Sequence, residues 1–97
     1  MTTYFVSRHT GAVQWAQRQN LIVDQLVSHL DTTIIQSGDT VIGSLPVNLA
    51  AQVCAIGARY LHLTLEVPAE LRGCELSADQ LEQLGARLQA FDITEAT

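Results

Sequence analysis

An apolar run, Tyr4-Phe5-Val6, leads straight into Ser7-Arg8-His9-Thr10-Gly11 and then resumes as a helix-like Ala12-Val13-Gln14-Trp15-Ala16. Hydroxyls, a guanidinium and an imidazole therefore gather where a buried strand must turn. Arg8 can neutralise phosphate oxygens, and His9 supplies a group that titrates near neutral pH. Free N–H groups at the start of the following helix would add partial positive charge, with Ser7, Thr10 and Gly11 around them. The plainer alternative is that Arg8 packs over the loop or pairs with an acid while His9 is solvated.

A second set lies further along. Ser44 and Asn48 flank the start of another helix, with Leu45 close by, where an N–H cluster and an amide suit a phosphate or a base edge; Ser44 could equally cap that helix. His29 stands next to Asp31, which could orient its ring, or it is simply a surface histidine. Arg72, in a Pro68–Cys74 loop, is a further arginine for an anionic ligand. His62 reads as structural, and Trp15, which could stack a base, reads as core. Cys54 and Cys74 have neither redox nor metal-ligand spacing, and no H-x-x-x-H, C-x-x-C or clustered-acid pattern is present. No metal or other cofactor is expected, so an enzyme here would be metal-free.

These residues need a frame. Thr3–Val6 reads as a short buried strand, followed by a helix from Gly11 to about Gln19 with Thr10 as its cap and Asn20 closing it. A second strand is expected at Leu26–Leu30, a turn at Ser37-Gly38-Asp39, and a β-branched third strand at Thr40–Gly43. Pro46 suits the first turn of a helix whose Val47, Ala50, Ala51 and Cys54 share one face and which Gly57 ends. Tyr60–Val67 alternates, with Leu61, Leu63, Leu65 and Val67 on its apolar side, which predicts a strand at a sheet edge or against another subunit. Ser77 and Gln80 form a capping box, Leu76 can staple to Leu81, and Leu81, Leu84, Leu88 and Phe91 predict one last helix.

The order β-α-β-β-α-β-α predicts an α/β sandwich: a largely parallel four-stranded core sheet with helices on both faces, of Rossmann-like kind. If the first and third strands are neighbours, the loops after Val6 and Gly43 meet at the topological switch point, the usual ligand crevice of such sheets.

Composition narrows the function classes. The 97 residues read as a single domain, residues 1–97, able to bury about two thirds of the extended-chain surface. Apolar residues make up 47% and charged residues 15%, as in compact globular chains rather than disordered ones. No apolar run approaches the roughly 18 to 20 residues of a membrane span, and no signal-like N-terminus is present; a soluble, intracellular protein without membrane partners is expected. The net charge is −5 and lysine is absent, leaving Arg8, Arg18, Arg59, Arg72 and Arg87. Duplex DNA, which is held by many basic groups, is thereby excluded as a partner, whereas a local anion pocket is not.

Several stretches together resemble a known family: Tyr4-Phe5-Val6-Ser7-Arg8-His9 with Gly11-Ala12 and Trp15, Val27-Ser28-His29-Leu30-Asp31, Gly38–Gly43, Leu45–Ala51, Gly57-Ala58-Arg59-Tyr60, Arg72-Gly73 and Glu75-Leu76-Ser77-Ala78. The chain resembles, over nearly its whole length, the Csx-sixteen family of small accessory proteins encoded with type III CRISPR systems. Thr10 departs from the proline associated with that family, and both suit the start of a helix. The resemblance implies a nucleotide-binding fold akin to the CRISPR-associated Rossmann fold, a homodimer, a cytoplasmic location in a prokaryote, and a ring nuclease that opens cyclic tetra-adenylate to end defence signalling. The alternatives are a cyclic-oligoadenylate-binding module that sequesters the messenger uncut, and a subunit that contacts a CRISPR effector through the fourth strand. From the chemistry of cleavage, Arg8 and His9 are the expected catalytic pair. Ser7, Thr10, Gly11, His29, Ser44, Leu45, Asn48 and Arg72 are the expected ligand contacts.

Overall fold

The computed structural model describes residues 1–96. Its elements run β1 (Thr3–Val6), α1 (Thr10–Arg18), β2 (Gln25–Val27), β3 (Thr40–Gly43), α2 (Val47–Ile56), β4 (Arg59–Thr64), α3 (Ala78–Gln83) and β5 (Arg87–Phe91), with short 3₁₀ turns at Thr32–Ile34 and Ala69–Leu71. They form one sheet of order β2-β1-β3-β4-β5, in which the first four strands are parallel and β5 is antiparallel to β4. The Rossmann-like α/β fold expected from the sequence is present, with β1 beside β3 and one strand more than the four foreseen.

Apolar residues at consecutive strand positions face opposite sides of the sheet. Phe5, Ile42 and Leu63 pack with Trp15 and Ala16 of α1 and with Ala78 and Leu81 of α3. Tyr4, Val41 and Tyr60 pack on the other side with Ala50 and Val53 of α2. Helices on both faces explain why β1 and β3 read as unbroken apolar runs rather than alternating ones. Trp15 is core. The Asp39 carboxylate, itself buried, accepts the N–H groups of Thr2 and Gln36, both at 2.9 Å. Those bonds, Thr2 first, hold its pKa below the ordinary aspartate value.

Several boundaries differ from the sequence expectation. α1 starts at Thr10 with His9 as N-cap and no side-chain cap, so Thr10 lies within the first turn instead of capping it. Asn20 does close that helix, in the left-handed region at φ 56°. β2 covers Gln25–Val27 and leaves His29 beyond the strand. Pro46 is the N-cap of α2, and the residues α2 buries fully are Ala50 and Val53, while Val47 is exposed. β4 ends at Thr64 rather than Val67 and lies between β3 and β5, so the expected position at a sheet edge or against another subunit is corrected. Tyr60, away from the expected apolar side, is only 2% exposed, and β5 supplies the missing neighbour.

The largest correction concerns the last helix. The capping box forms, with Ser77 Oγ accepting from Gln80 N–H and Gln80 Oε1 accepting from Ser77 N–H, but α3 stops at Gln83. Gly85, at φ 76°, turns the chain out of the helix, and Leu88 and Phe91 belong to β5. Leu81, Leu84, Leu88 and Phe91 share helical spacing, yet the backbone of Arg87–Phe91 gains ladder partners by covering the open edge of β4.

Candidate functional site

Three neighbouring parallel strands end level. Val6 is in register with Val27 on one side and with Gly43 on the other. The next residue is a serine in every instance, Ser28, Ser7 and Ser44. At the strand spacing of about 4.8 Å, these serines form a row along the carboxyl edge of the sheet. The row borders a crevice of about 380 Å³ between the loops after β1, β2 and β3, with Phe5, Ala12, Leu49 and Leu63 among its walls. It occupies the switch point, because α1 and α2 leave β1 and β3 on opposite faces.

Arg8, His9, His29 and Leu45 line this crevice together with Ser7 and Ser44. Ser7 Oγ accepts the His9 N–H at 3.1 Å and so shapes the turn that presents Arg8 and His9. Ser44 Oγ donates to the Leu63 carbonyl at 3.1 Å; it anchors its loop to β4 and does not cap α2. Arg18 pairs with Asp79 and Glu82, and Arg87 with Glu66, whereas among the described residues no carboxylate pairs with Arg8. The alternative in which an acid occupies Arg8 is not realised. His9 Nδ1 stands 2.9 and 3.2 Å from the two carboxylate oxygens of Glu75, from the segment just before α3.

Neither α1 nor α2 has an acidic residue in its first turn or a side-chain cap. Both helix starts border the crevice through Ala12, Pro46 and Leu49, and free N–H groups at a helix start favour an anion. The β3–α2 loop is held from below by Tyr60. Its hydroxyl accepts the Leu45 N–H at 3.0 Å, donates to the Gly43 carbonyl at 3.2 Å and lies 2.6 Å from His62 Nδ1. A hydroxyl has one proton and two lone pairs, so the set closes only when His62 donates from Nδ1. His62 is structural, as read from the sequence, and burial raises the Tyr60 pKa. Tyr60→Phe should cost about 1–3 kcal/mol, because it strips partners from groups with little access to water. Urea unfolding should show a lower midpoint at unchanged slope.

The remaining candidates lie elsewhere. Asn48 points to a separate cleft of about 450 Å³ between α2 and Asp92–Glu95. Arg72 is exposed after the Ala69–Leu71 turn and lies outside the crevice walls. Thr10 is also outside them. Gly11 is buried and serves packing, since a Cβ there would stand 1.8 Å from the Leu76 carbonyl oxygen. Ser28 and Glu75 were not singled out from the sequence. The echo of Val6-Ser7-Arg8 in Val27-Ser28-His29 was the available signal for Ser28; no local pattern joins Glu75 to His9, 66 positions away.

Among the described residues no three His, Cys, Asp or Glu side chains cluster as metal ligands would, and no helix is long and apolar enough to cross a membrane. A family model with the description "Putative CRISPR-associated protein (Cas_VVA1548)" matches residues 4–94. No curated protein and no solved structure matches the chain.

Proposed function

The chain belongs to this family of CRISPR-associated proteins, and from that premise we propose that it is a ring nuclease of the Csx-sixteen kind, binding cyclic tetra-adenylate at the switch-point crevice and opening it without a metal ion. The observation that carries the reading is the convergence of Arg8, unpaired with any carboxylate among the described residues, with His9 and two uncapped helix starts in one crevice. That combination suits a phosphodiester, not a neutral ligand.

Cyclic oligoadenylate brings its own nucleophile, the ribose 2′-hydroxyl beside each phosphodiester. His9 Nε2 takes the 2′-hydroxyl proton as the oxygen bonds to phosphorus. The phosphorus–5′-oxygen bond breaks, the departing oxygen takes a proton from water, and the imidazolium later returns its proton to solvent. The products are a 2′,3′-cyclic phosphate and a 5′-hydroxyl. Arg8 neutralises charge on the non-bridging oxygens, and the ring held in line supplies proximity. About 380 Å³ is near the small end of ligand pockets and suits part of the ring, so two crevices related by a two-fold axis would share the whole. The dimer thus rests on ligand symmetry, because β4 offers no free edge. With β4 paired on both edges, the effector-contacting alternative would have to use another surface.

Purified protein incubated with cyclic tetra-adenylate and resolved by chromatography should yield linear products with those two ends, with or without chelator. His9→Ala should lower the single-turnover rate about 10²-fold while binding the uncut ring within a few-fold of wild type. Tight binding of a ring that stays intact would establish the sequestering alternative, and abolition by chelator would overturn the metal-independent chemistry.

A further inference from the structure

We infer that Glu75 is a positioning residue for His9, a role that deepens and rests on the ring-nuclease reading. An ionised carboxylate only accepts hydrogen bonds, so the contacts of 2.9 and 3.2 Å from Glu75 to His9 Nδ1 require the proton on Nδ1. The neutral ring then presents its lone pair on Nε2, which has no protein partner among the described residues, and His9 itself lines the crevice. That is the tautomer a base for the 2′-hydroxyl must have, and it is selected by the bond made at the other nitrogen.

The surroundings leave Glu75 as the group that can do this. Among the described residues, the charged and titratable groups of the crevice walls and of the His9 contacts are Arg8 on the same loop, His29 on the loop after β2, and Glu75 on the segment before α3. The loop after β3, Gly43-Ser44-Leu45-Pro46, has none, and the first turns of α1 and α2 carry no acid. Both His9 and Glu75 are about two-thirds exposed, so the pair contributes little to folding, and its significance lies in orientation.

The placement of Glu75 depends on the fold. Leu76 joins the cluster of Trp15 and Leu81 on the α1 side, and its carbonyl abuts Gly11 at the start of α1. The close approach of these backbones brings position 75 within reach of position 9.

Glu75→Ala and Glu75→Gln separate this role from a structural one. In Glu75→Ala the ring is free to carry its proton on Nε2, and nitrogen chemical shifts of His9 in the ligand-free protein should show that change. Glu75→Gln keeps an acceptor for Nδ1–H and should restore the tautomer without the charge. Single-turnover cleavage of cyclic tetra-adenylate should fall about 10- to 100-fold in Glu75→Ala and recover in part in Glu75→Gln, with ring affinity within a few-fold throughout. In a His9→Ala background Glu75→Ala should add no further loss, the mark of two residues acting as one unit. A His9 tautomer identical in wild type and Glu75→Ala overturns the inference, as does an additive loss in the double variant. A tautomer that responds to Glu75 in a protein that cuts no ring would uphold the positioning contact and overturn the ring-nuclease reading instead.

Discussion

Arg8→Ala is expected to slow single-turnover cleavage of cyclic tetra-adenylate by about 10²- to 10³-fold, the scale of losing one preorganised donor to a developing oxyanion. As the 2′-oxygen attacks, charge builds on the non-bridging oxygens, and a guanidinium can meet both with a planar fork of N–H donors. Arg8 is suited to this because no carboxylate among the described residues competes for it, unlike Arg18 and Arg87. Arg8→Lys should recover only part of the rate, since a point charge does not reproduce the fork. Arg8 is exposed, so the unfolding midpoint should hardly change and the loss can be assigned to chemistry. Arg72→Ala supplies the control: Arg72 lies outside the crevice walls, and its removal should leave the rate within a few-fold. Rates and affinities must be measured separately, because a joint fall in both would mean lost binding. A wild-type rate in Arg8→Ala would move the phosphate contact elsewhere in the crevice, with His29 the next group to remove.

Gly11→Ala is expected to destabilise the fold severely, although alanine is the better helix former by about 1 kcal/mol. The added Cβ would stand 1.8 Å from the Leu76 carbonyl oxygen and 2.9 Å from its carbon. Backbone, unlike the far end of a side chain, cannot swing aside. Overpacking usually costs about 1–3 kcal/mol, and a collision that must push α1 from the segment leading into α3 belongs at or above the top of that range. Against a typical stability of about 5–15 kcal/mol, this is a large fraction. The same displacement would carry Glu75 away from His9, so any folded remainder should also lose the Nδ1–H tautomer. Urea unfolding checks the first effect, and a variant as stable as wild type would contradict the close approach of the two backbones.

The sequence alone determined the parts of this protein whose causes are local. Thr3–Val6 and Thr40–Gly43 are short apolar runs bounded by turn residues, and both are strands in the structure. Gly57 ends α2 because a left-handed φ of 96° suits glycine, and Ser77 with Gln80 starts α3 because three residues span one helical turn. The β-α-β-β-α order suggested a parallel sheet whose loops after Val6 and Gly43 would meet if β1 and β3 were neighbours, and the structure supplies that pairing. What depended on contacts distant along the chain was not legible in the sequence. Arg87–Phe91 has apolar spacing compatible with a helix and becomes a strand because β4 has an unpaired edge to satisfy. Tyr60 looks like the polar side of an edge strand and is buried because α2 and β5 close over it. Asn48 and Arg72 carry suitable chemistry and stand apart from the crevice, since a helix direction and a loop path decide where they face. Glu75 meets His9 only because Gly11 has no side chain and lets two backbones touch. Hydrogen bonds within a turn can be read from residues a few positions apart, whereas those between elements form only where packing of the whole core brings the groups together.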